Sequence, residues 1–229
     1  MAQKTGIDFL SLEEIEANAN RFIGILESVE IPGANIPGLI EWLKTTDFFI
    51  APASTKYHGS FKGGLCAHSL IVYDNMMKLF NEFVLQDTSI PPMDENSIKI
   101  VALLHDLSKV NQYTLSSRNE KEYLPADAPD GTKSQGKDAL GRFNWVTTVS
   151  YALKDNDERF VLVDHDVNAA YLANMYIPLS QEEFAAIANH SGGMTNKFSN
   201  PDLNTIFKKY PLALILHEAD LMAAYFQQI

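Results

Sequence analysis

Residues 98–110 read IKIVALLHDLSKV, and this stretch decides the fold. Its first seven residues are apolar apart from Lys99, so the segment predicts a helix that is buried nearly all round at the centre of the molecule. Asp94 precedes the segment and is a suitable N-cap for that helix. His105 and Asp106 interrupt the apolar run and are predicted to lie inside the helix. A histidine and an aspartate in such a place require a chemical explanation.

Helical signals continue on both sides of this segment. Ser11 with Glu14 and Ser180 with Glu183 have the capping-box spacing that starts a helix, and Pro211 suits the first turn of a final one. Besides the central helix, the predicted helices span about 12–28, 39–45, 65–86, 165–175, 181–190 and 211–227. The sequence therefore predicts a mainly α-helical bundle of six or more helices.

A polar insertion, about residues 112–163, follows the central helix. Residues 116–138 carry scattered Pro, Gly, Asp and Lys and are typical of a loop or a mobile lid. Phe143–Leu153 and Arg159–Val163 have strand-like composition and flank the turn KDNDE. They predict a small inserted β-hairpin at about 143–163.

The length of 229 residues and the hydrophobic fraction of 46% suffice for one compact core. We expect residues 1–50 to form a helical segment that packs on a main domain of residues 51–229. No apolar run approaches the roughly 20 residues that cross a bilayer, and the N-terminus lacks the basic-then-apolar order of a signal peptide. The single cysteine, Cys66, fits a reducing compartment. These features predict a cytoplasmic protein without a membrane partner.

The chain is acidic, with a net charge of −11 and a pI of about 4.9. Nucleic-acid binding draws much of its affinity from Lys and Arg that neutralise phosphates. An acidic chain without a basic arm is therefore a poor candidate for holding long DNA or RNA. A small phosphate ester is still compatible, because a bound metal inverts the local field. The oligomeric state is left open.

Two aspartates, Asp106 and Asp220, lie in apolar segments that read VALLHDLSK and LILHEADLMAAY. An unpaired buried carboxylate costs several kcal/mol, and one cation would compensate both. His68 and His105 would complete its ligands. A mixed histidine and carboxylate set suits Mn, Fe, Ni, Zn or Mg. One such histidine alone is more often an ordinary core residue, but the four residues together favour a site for one or two metal ions.

The order His … His-Asp … Asp resembles that of the HD superfamily of metal-dependent phosphohydrolases. In motif pattern it is closest to the bacterial 3′–5′ exoribonuclease type, whose helix also begins with Gly-Gly-Leu … His. The last motif of that type carries a His three residues before the Asp, as His217 and Asp220 do here, so we expect His217 to orient Asp220. The matching strings are YHGSFKGGLCAHSL (57–70), IVALLHDLSKV (100–110), HDVNAAYL (165–172), IANHSGG (187–193) and LHEADLMAAY (216–225).

The resemblance implies an HD-type helical bundle with a centre for one or two divalent metal ions. The residues that it implies as ligands are His68, His105, Asp106 and Asp220 for the first metal and His165 and His190 for the second. Asp106 would bridge the two metals. Two positions depart from the family pattern: Ser108 stands where Gly is usual, and Ser191 stands where a second His is often found.

Three basic residues are candidates for contact with a substrate phosphate. Lys109 follows Asp106 by three residues and shares its helix face. The resemblance implies that Lys109 stabilises charge in the transition state. His58 and Lys62 lie in the glycine-containing loop before the long helix, and one or the other is expected to touch the phosphate. Asp106 and Lys109 are therefore the predicted catalytic residues.

Three functions are compatible with these residues. The first is hydrolysis of phosphate esters in a small nucleotide or a cyclic or oligonucleotide signal. The second is a 3′–5′ exonuclease that acts on RNA or DNA ends, which the resemblance favours. The third is a nucleotide-binding module without turnover. The charge, and the lack of an OB-type strand-rich segment near the N-terminus, favour the first.

Overall fold

The computed structural model describes residues 8–129, 131–159, 164–192 and 203–227. Within these ranges the chain forms eight α-helices and one three-stranded sheet, so the predicted mainly α-helical class is confirmed. The helices are α1 (Leu12–Glu27), α2 (Ile36–Thr45), α3 (Gly64–Leu79), α4 (Glu95–Leu104), α5 (His165–Asn174), α6 (Gln181–Ala188), α7 (Leu203–Lys209) and α8 (Pro211–Met222). The strands are β1 (Tyr113–Tyr123), β2 (Gly136–Asp138) and β3 (Gly141–Leu153).

Helix α4 lies at the centre of the bundle, as the sequence predicts. It packs against α1, α3, α5, α6 and α8. Ile98, Val101 and Leu104 on this helix are fully buried, and each such side chain contributes about 1.5–3 kcal/mol when it leaves water. Asp94 caps the helix, because its side chain accepts a hydrogen bond from the backbone N–H two residues later at 2.8 Å. The central helix thus fixes the position of whatever follows it.

The sequence placed His105 and Asp106 inside this helix, and that prediction is wrong. The helix ends at Leu104, and the Asp106 backbone leaves helical geometry with φ −102° and ψ 17°. A 3₁₀ turn, Leu107–Lys109, follows. A 3₁₀ turn is tighter than an α-turn, so it redirects the chain from the core towards β1 while the two polar side chains stay buried.

Both predicted capping boxes are formed. The Ser11 hydroxyl accepts the N–H of Glu14 at 3.2 Å, and the Glu14 carboxylate accepts the N–H of Ser11 at 2.8 Å. Ser180 and Glu183 repeat the arrangement at 3.2 and 2.7 Å. The Ser97 hydroxyl of α4 also donates to Glu183 at 2.7 Å. This cap therefore starts α6 and ties it to the central helix.

The N-terminal helices belong to the same hydrophobic core as the rest of the bundle. Phe22 and Leu26 of α1 and Leu39 of α2 lie in one cluster with Leu104 and Leu216. Among the described residues, no helix has the length and hydropathy needed to span a membrane.

The sheet differs from the predicted hairpin. Strand β3 pairs with β1 in antiparallel register from Tyr113↔Leu153 to Tyr123↔Phe143, and β2 pairs with its other edge. Of the predicted partner strand, Arg159–Val163, only Arg159 is described, and it lies in a bend, so the pairing of that segment stays a prediction. Residues 160–163 lie outside the described part of the chain. The predicted loop at 116–138 is a strand in its first third.

The β1–β3 ribbon has two chemically different faces. In an antiparallel pair, directly opposed residues share a face and successive residues alternate. One face therefore carries Leu115, Tyr151, Val149, Trp145 and Tyr123, of which four are exposed. The opposite face carries mainly Ser, Thr, Arg, Glu and Asn. The apolar signal of β1 is thus confined to alternate positions of a mostly polar segment.

Candidate metal centre

Six side chains from separate elements converge beside the end of α4. They are His68 of α3, His105 and Asp106 after α4, His165 at the start of α5, His190 after α6 and Asp220 of α8. Four of these residues are buried to 2% exposure or less, and the side chains of His165 and Asp220 are 24% and 19% exposed. The structure therefore brings together every residue that the sequence proposed as a metal ligand.

His68, His105 and Asp220 form the first group that could hold an ion. His68 Nε2 lies 3.3 Å from His105 Nε2 and 3.0 Å from Asp220 Oδ1, and His105 Nε2 lies 3.9 Å from Asp220 Oδ1. Asp106 Oδ2 lies 3.7 and 3.4 Å from the two imidazole nitrogens. Two ligands of one ion, each about 2.1 Å from it, are roughly 3.0–3.4 Å apart. The observed separations are close to that range.

The second group lies on the other side of Asp106. Its Oδ1 is 2.8 Å from His165 Nε2 and 3.5 Å from His190 Nε2. Two further sets that could hold an ion overlap here: His105, Asp106 and His190, and His165, Asp166 and His190. Asp106 therefore presents one carboxylate oxygen to each group of histidines, which is the arrangement required of a bridging ligand.

Main-chain carbonyls fix two of the imidazole rings. His105 Nδ1 donates to the Ala102 carbonyl at 2.8 Å, and His190 Nδ1 donates to the Ile187 carbonyl at 2.8 Å. A carbonyl oxygen only accepts, so each Nδ1 must carry a proton. In the neutral ring the lone pair is then on Nε2, which points into the centre. This orientation is the one that a metal-binding histidine needs.

Three carboxylates, Asp106, Asp166 and Asp220, give the centre an excess of negative charge. Burial raises the pKa of Asp106, but Lys109 and His105 outweigh it and the pKa is well below its usual value. Burial also raises the pKa of Asp220, but the hydrogen bond from His68 and the charges of His68, His105 and His190 together outweigh it and lower the pKa. Both groups are therefore ionised at neutral pH.

Burial and the neighbouring carboxylates shift the pKa values of the imidazoles in opposite directions. Burial lowers the pKa of His105, although Asp106 opposes the effect. Burial also lowers the pKa of His190, but Asp166 and then Asp106 outweigh it and raise the pKa to about 9. The field at this point favours positive charge. A divalent cation would satisfy that preference while the imidazoles stayed neutral.

Lys109 contacts the centre directly. Its Nζ lies 2.6 Å from Asp106 Oδ2, and its side chain is 16% exposed. Burial lowers the pKa of Lys109, but the Asp106 carboxylate outweighs it, so the pKa is raised and the ammonium is charged. The three-residue spacing places both groups on one side, as the sequence predicts.

The two other proposed phosphate contacts are placed differently. The His58 ring lies 4.8 Å from the His68 ring. Burial, followed by His68 and Lys109, lowers the pKa of His58 to about 4, so the ring is neutral. Lys62 is half-buried in the loop before α3. Among the described residues, Lys62 forms no hydrogen bond or ion pair with the centre, whereas His58 lies at its edge.

His217 was expected to orient Asp220, and the structure contradicts this. Its Nδ1 lies 2.7 Å from the His190 carbonyl oxygen, and its ring stacks on Phe207 at 5.5 Å. Gly192 has φ +65°, and a Cβ there would meet the His217 ring at 2.4 Å. The His217 ring thus faces the backbone at His190 and Gly192, and His217 supports the segment that follows His190.

Sequence reasoning missed Asp166. This residue is buried, and its Oδ1 lies 3.7 Å from His190 Nδ1. Its Oδ2 accepts hydrogen bonds from Ser191 Oγ at 2.5 Å and Ser191 N at 3.2 Å. Acidic residues are common in the first turn of a helix, so Asp166 did not stand out in the sequence. The repeated dipeptide, His-Asp at 105–106 and again at 165–166, was the available signal.

No family model matches the chain, and no curated protein or solved structure matches it either. The buried histidine and aspartate groups could hold a metal ion. That capacity follows from the separations of their ligand atoms and from the excess of carboxylates.

Proposed function

We propose that this chain is a metal-dependent phosphohydrolase of the HD superfamily. The observation that carries the proposal is the position of Asp106 between two groups of imidazoles, with Oδ2 towards His68 and His105 and Oδ1 towards His165 and His190. A structural core histidine needs no such arrangement. Four imidazoles within 3.7 Å of one buried carboxylate are the chemistry of a metal ligand set.

The ligand roles follow from which side of Asp106 each group faces. His68, His105 and Asp220 would hold one divalent ion, and His165 and His190 would hold a second, with Asp106 between them. Asp166 is a further candidate for the second ion. When bound, such ions lower the pKa of coordinated water to about 7 and stabilise negative charge on phosphate oxygens. Mn, Fe, Ni, Mg and Zn all accept this ligand set.

Lys109 and His58 would act on the substrate. The Lys109 ammonium is charged and lies at the edge of the carboxylate cluster, where it can receive a phosphate oxygen and stabilise the charge that develops on it. His58 is a neutral ring beside His68 and can donate one hydrogen bond to the same group. Lys62 is a weaker candidate, because it is half-buried in the loop before α3.

The substrate class that we favour is a small nucleotide or a cyclic or oligonucleotide signal. The net charge of −11 repels a long polyanion, whereas the few charges of a small ester can be met by the metals and Lys109. The motif pattern supports an exonuclease as the second candidate. We propose that the activity lies in the reducing cytosol, because the single cysteine, Cys66, fits a reducing compartment.

The experiment is a turnover panel of mononucleotides, cyclic nucleotides and short oligonucleotides with Mn²⁺, Ni²⁺ or Mg²⁺, with the products identified. Asp106→Ala is the test variant, and Asp138→Ala is the matched control, because Asp138 is paired with Lys121 on the ribbon. We expect Asp106→Ala to abolish hydrolysis and the control to retain it, with the helical circular dichroism unchanged in both. Near-normal turnover by Asp106→Ala would refute the proposed function. Nucleotide binding without turnover by the wild type would identify a binding module.

A further inference from the structure

The imidazoles around Asp106 differ in what holds their Nδ1 atoms. The rings of His105 and His190 are each fixed by a main-chain carbonyl. Nδ1 of His165 instead lies 2.6 Å from the Ser108 hydroxyl, while its Nε2 lies 2.8 Å from Asp106 Oδ1. His165 is therefore the ring of these three whose orientation depends on a side chain.

A hydroxyl differs from a carbonyl because it both donates and accepts. A metal ligand at Nε2 requires the tautomer in which Nδ1 carries the proton. The Ser108 oxygen, 2.6 Å away, can accept a hydrogen bond from that N–H, which fixes the ring with Nε2 towards Asp106.

Ser108 is itself held firmly in place. It is fully buried in the 3₁₀ turn after α4, against which α5 packs. Its backbone carbonyl accepts a hydrogen bond from the Gln112 side chain. A fully buried hydroxyl is not readily replaced by water, so its removal leaves His165 Nδ1 without this partner.

We propose that Ser108 is a positioning residue that orients His165 for metal binding through the hydrogen bond between its hydroxyl and His165 Nδ1. The proposal rests on the metal centre of the proposed function. Groups that orient metal-binding histidines typically contribute 10- to 100-fold to metal affinity. Since Ser108 acts only through His165, its effect must vanish when His165 is absent.

The first test is a double-mutant cycle on Zn²⁺ affinity, measured by competition with a chromophoric chelator. The variants are Ser108→Ala, His165→Ala and the double variant. Ser69→Ala is the control, because Ser69 is also fully buried and its hydroxyl donates to the Leu65 carbonyl of its own helix at 3.0 Å. We expect Ser108→Ala to weaken the second Zn²⁺ by about 10- to 100-fold in the wild-type background and by less than about 2-fold beside His165→Ala.

The second test measures the protonation of the histidine rings rather than hydrolysis, and its first spectra are recorded without metal. Long-range proton–nitrogen spectra of the ¹⁵N-labelled chain report the tautomer of each histidine. We expect the Zn²⁺-bound chain to carry the His165 proton at Nδ1, and Ser108→Ala to shift the His165 Nδ1 resonance with and without Zn²⁺. Ser69→Ala should leave that resonance in place.

The outcomes separate this proposal from the proposed function. A wild type that binds two Zn²⁺ ions while Ser108→Ala binds them equally well overturns the role of Ser108 alone. An equal loss in the presence and absence of His165 also overturns it, because Ser108 would then act through the general fold. A wild type that binds no Zn²⁺ overturns both proposals.

Discussion

Lys109 Nζ lies 2.6 Å from Asp106 Oδ2, so the residue expected to meet the substrate is already paired with the central carboxylate. The same carboxylate oxygen lies within 3.7 Å of His68 and His105. Lys109 therefore has a charged partner before any phosphate arrives. A bound metal would share that carboxylate, and the ammonium would then be available to a phosphate oxygen.

Lys109→Met should lower kcat by about 10²–10³-fold, the loss typical for one charge-stabilising donor in a transition state. Bound metal should persist, because the ligands are intact. The measurement is steady-state hydrolysis of the best substrate in the panel, with metal content determined on the same samples. Lys44→Met is the matched control, since Lys44 also pairs with an acid three residues away, Glu41, but on the surface. A kcat equal to that of the control would remove Lys109 from catalysis.

The net charge of the protein predicts a preference for short substrates. We expect kcat/KM to be higher for a small nucleotide than for a single-stranded oligonucleotide of about ten residues or more, because the acidic surface repels a polyanion. If the protein binds oligonucleotides along a row of basic residues, their turnover should also fall steeply as the salt concentration rises. Preferential degradation of long oligonucleotides, with little action on small nucleotides, would favour the exonuclease alternative.

Asn111 sustains the turn between the centre and β1. Its φ of 56° is left-handed, and it exchanges two hydrogen bonds with Asp47: Asn111 N donates to Oδ1 at 2.6 Å, and Asp47 N donates to Asn111 Oδ1 at 3.2 Å. Asn111→Ala should destabilise the fold by about 1–2 kcal/mol, because it adds backbone strain and removes a hydrogen bond. Urea unfolding measures this. Asn111→Gly relieves only the strain and should lose less, so an equal loss in both variants would refute the backbone argument.

The apolar ribbon face contributes little to the core. Leu115 and Val149 are 55% and 46% exposed, so Leu115→Ser and Val149→Ser should each change the free energy of unfolding by no more than about 0.5 kcal/mol. Leu103 is fully buried, and Leu103→Ala should cost about 2–5 kcal/mol. Thermal or urea unfolding compares them. A loss above about 2 kcal/mol at Leu115 would mean that this face is covered in solution.

The helices could be predicted from sequence because their signals are local. Ser11 with Glu14 and Ser180 with Glu183 stand three residues apart, and both capping boxes form. The ribbon could not be predicted in the same way. Its pairing joins Tyr113–Tyr123 to a strand about twenty residues later, and polar residues outnumber apolar ones in that first strand. Composition alone therefore assigned it to a loop.

The candidate site was predictable where a polar residue interrupts an apolar segment of the sequence. Asp106 and Asp220 were conspicuous for that reason, whereas Asp166 looked like an ordinary first-turn acid. Partners set by tertiary packing were not predictable. His217 lies one turn from Asp220 in sequence, yet its Nδ1 faces the His190 carbonyl of another segment.

The most direct test of the metal centre is an anomalous difference map from crystals grown with Mn²⁺. We expect one peak about 2.0–2.3 Å from His68 Nε2, His105 Nε2 and an Asp220 oxygen, and a second beside His165 and His190. Asp106 should contact both. Crystals of Asp106→Ala should lose or weaken both peaks. A map of the wild-type protein with no anomalous peak within ligand distance of Asp106 would contradict the account.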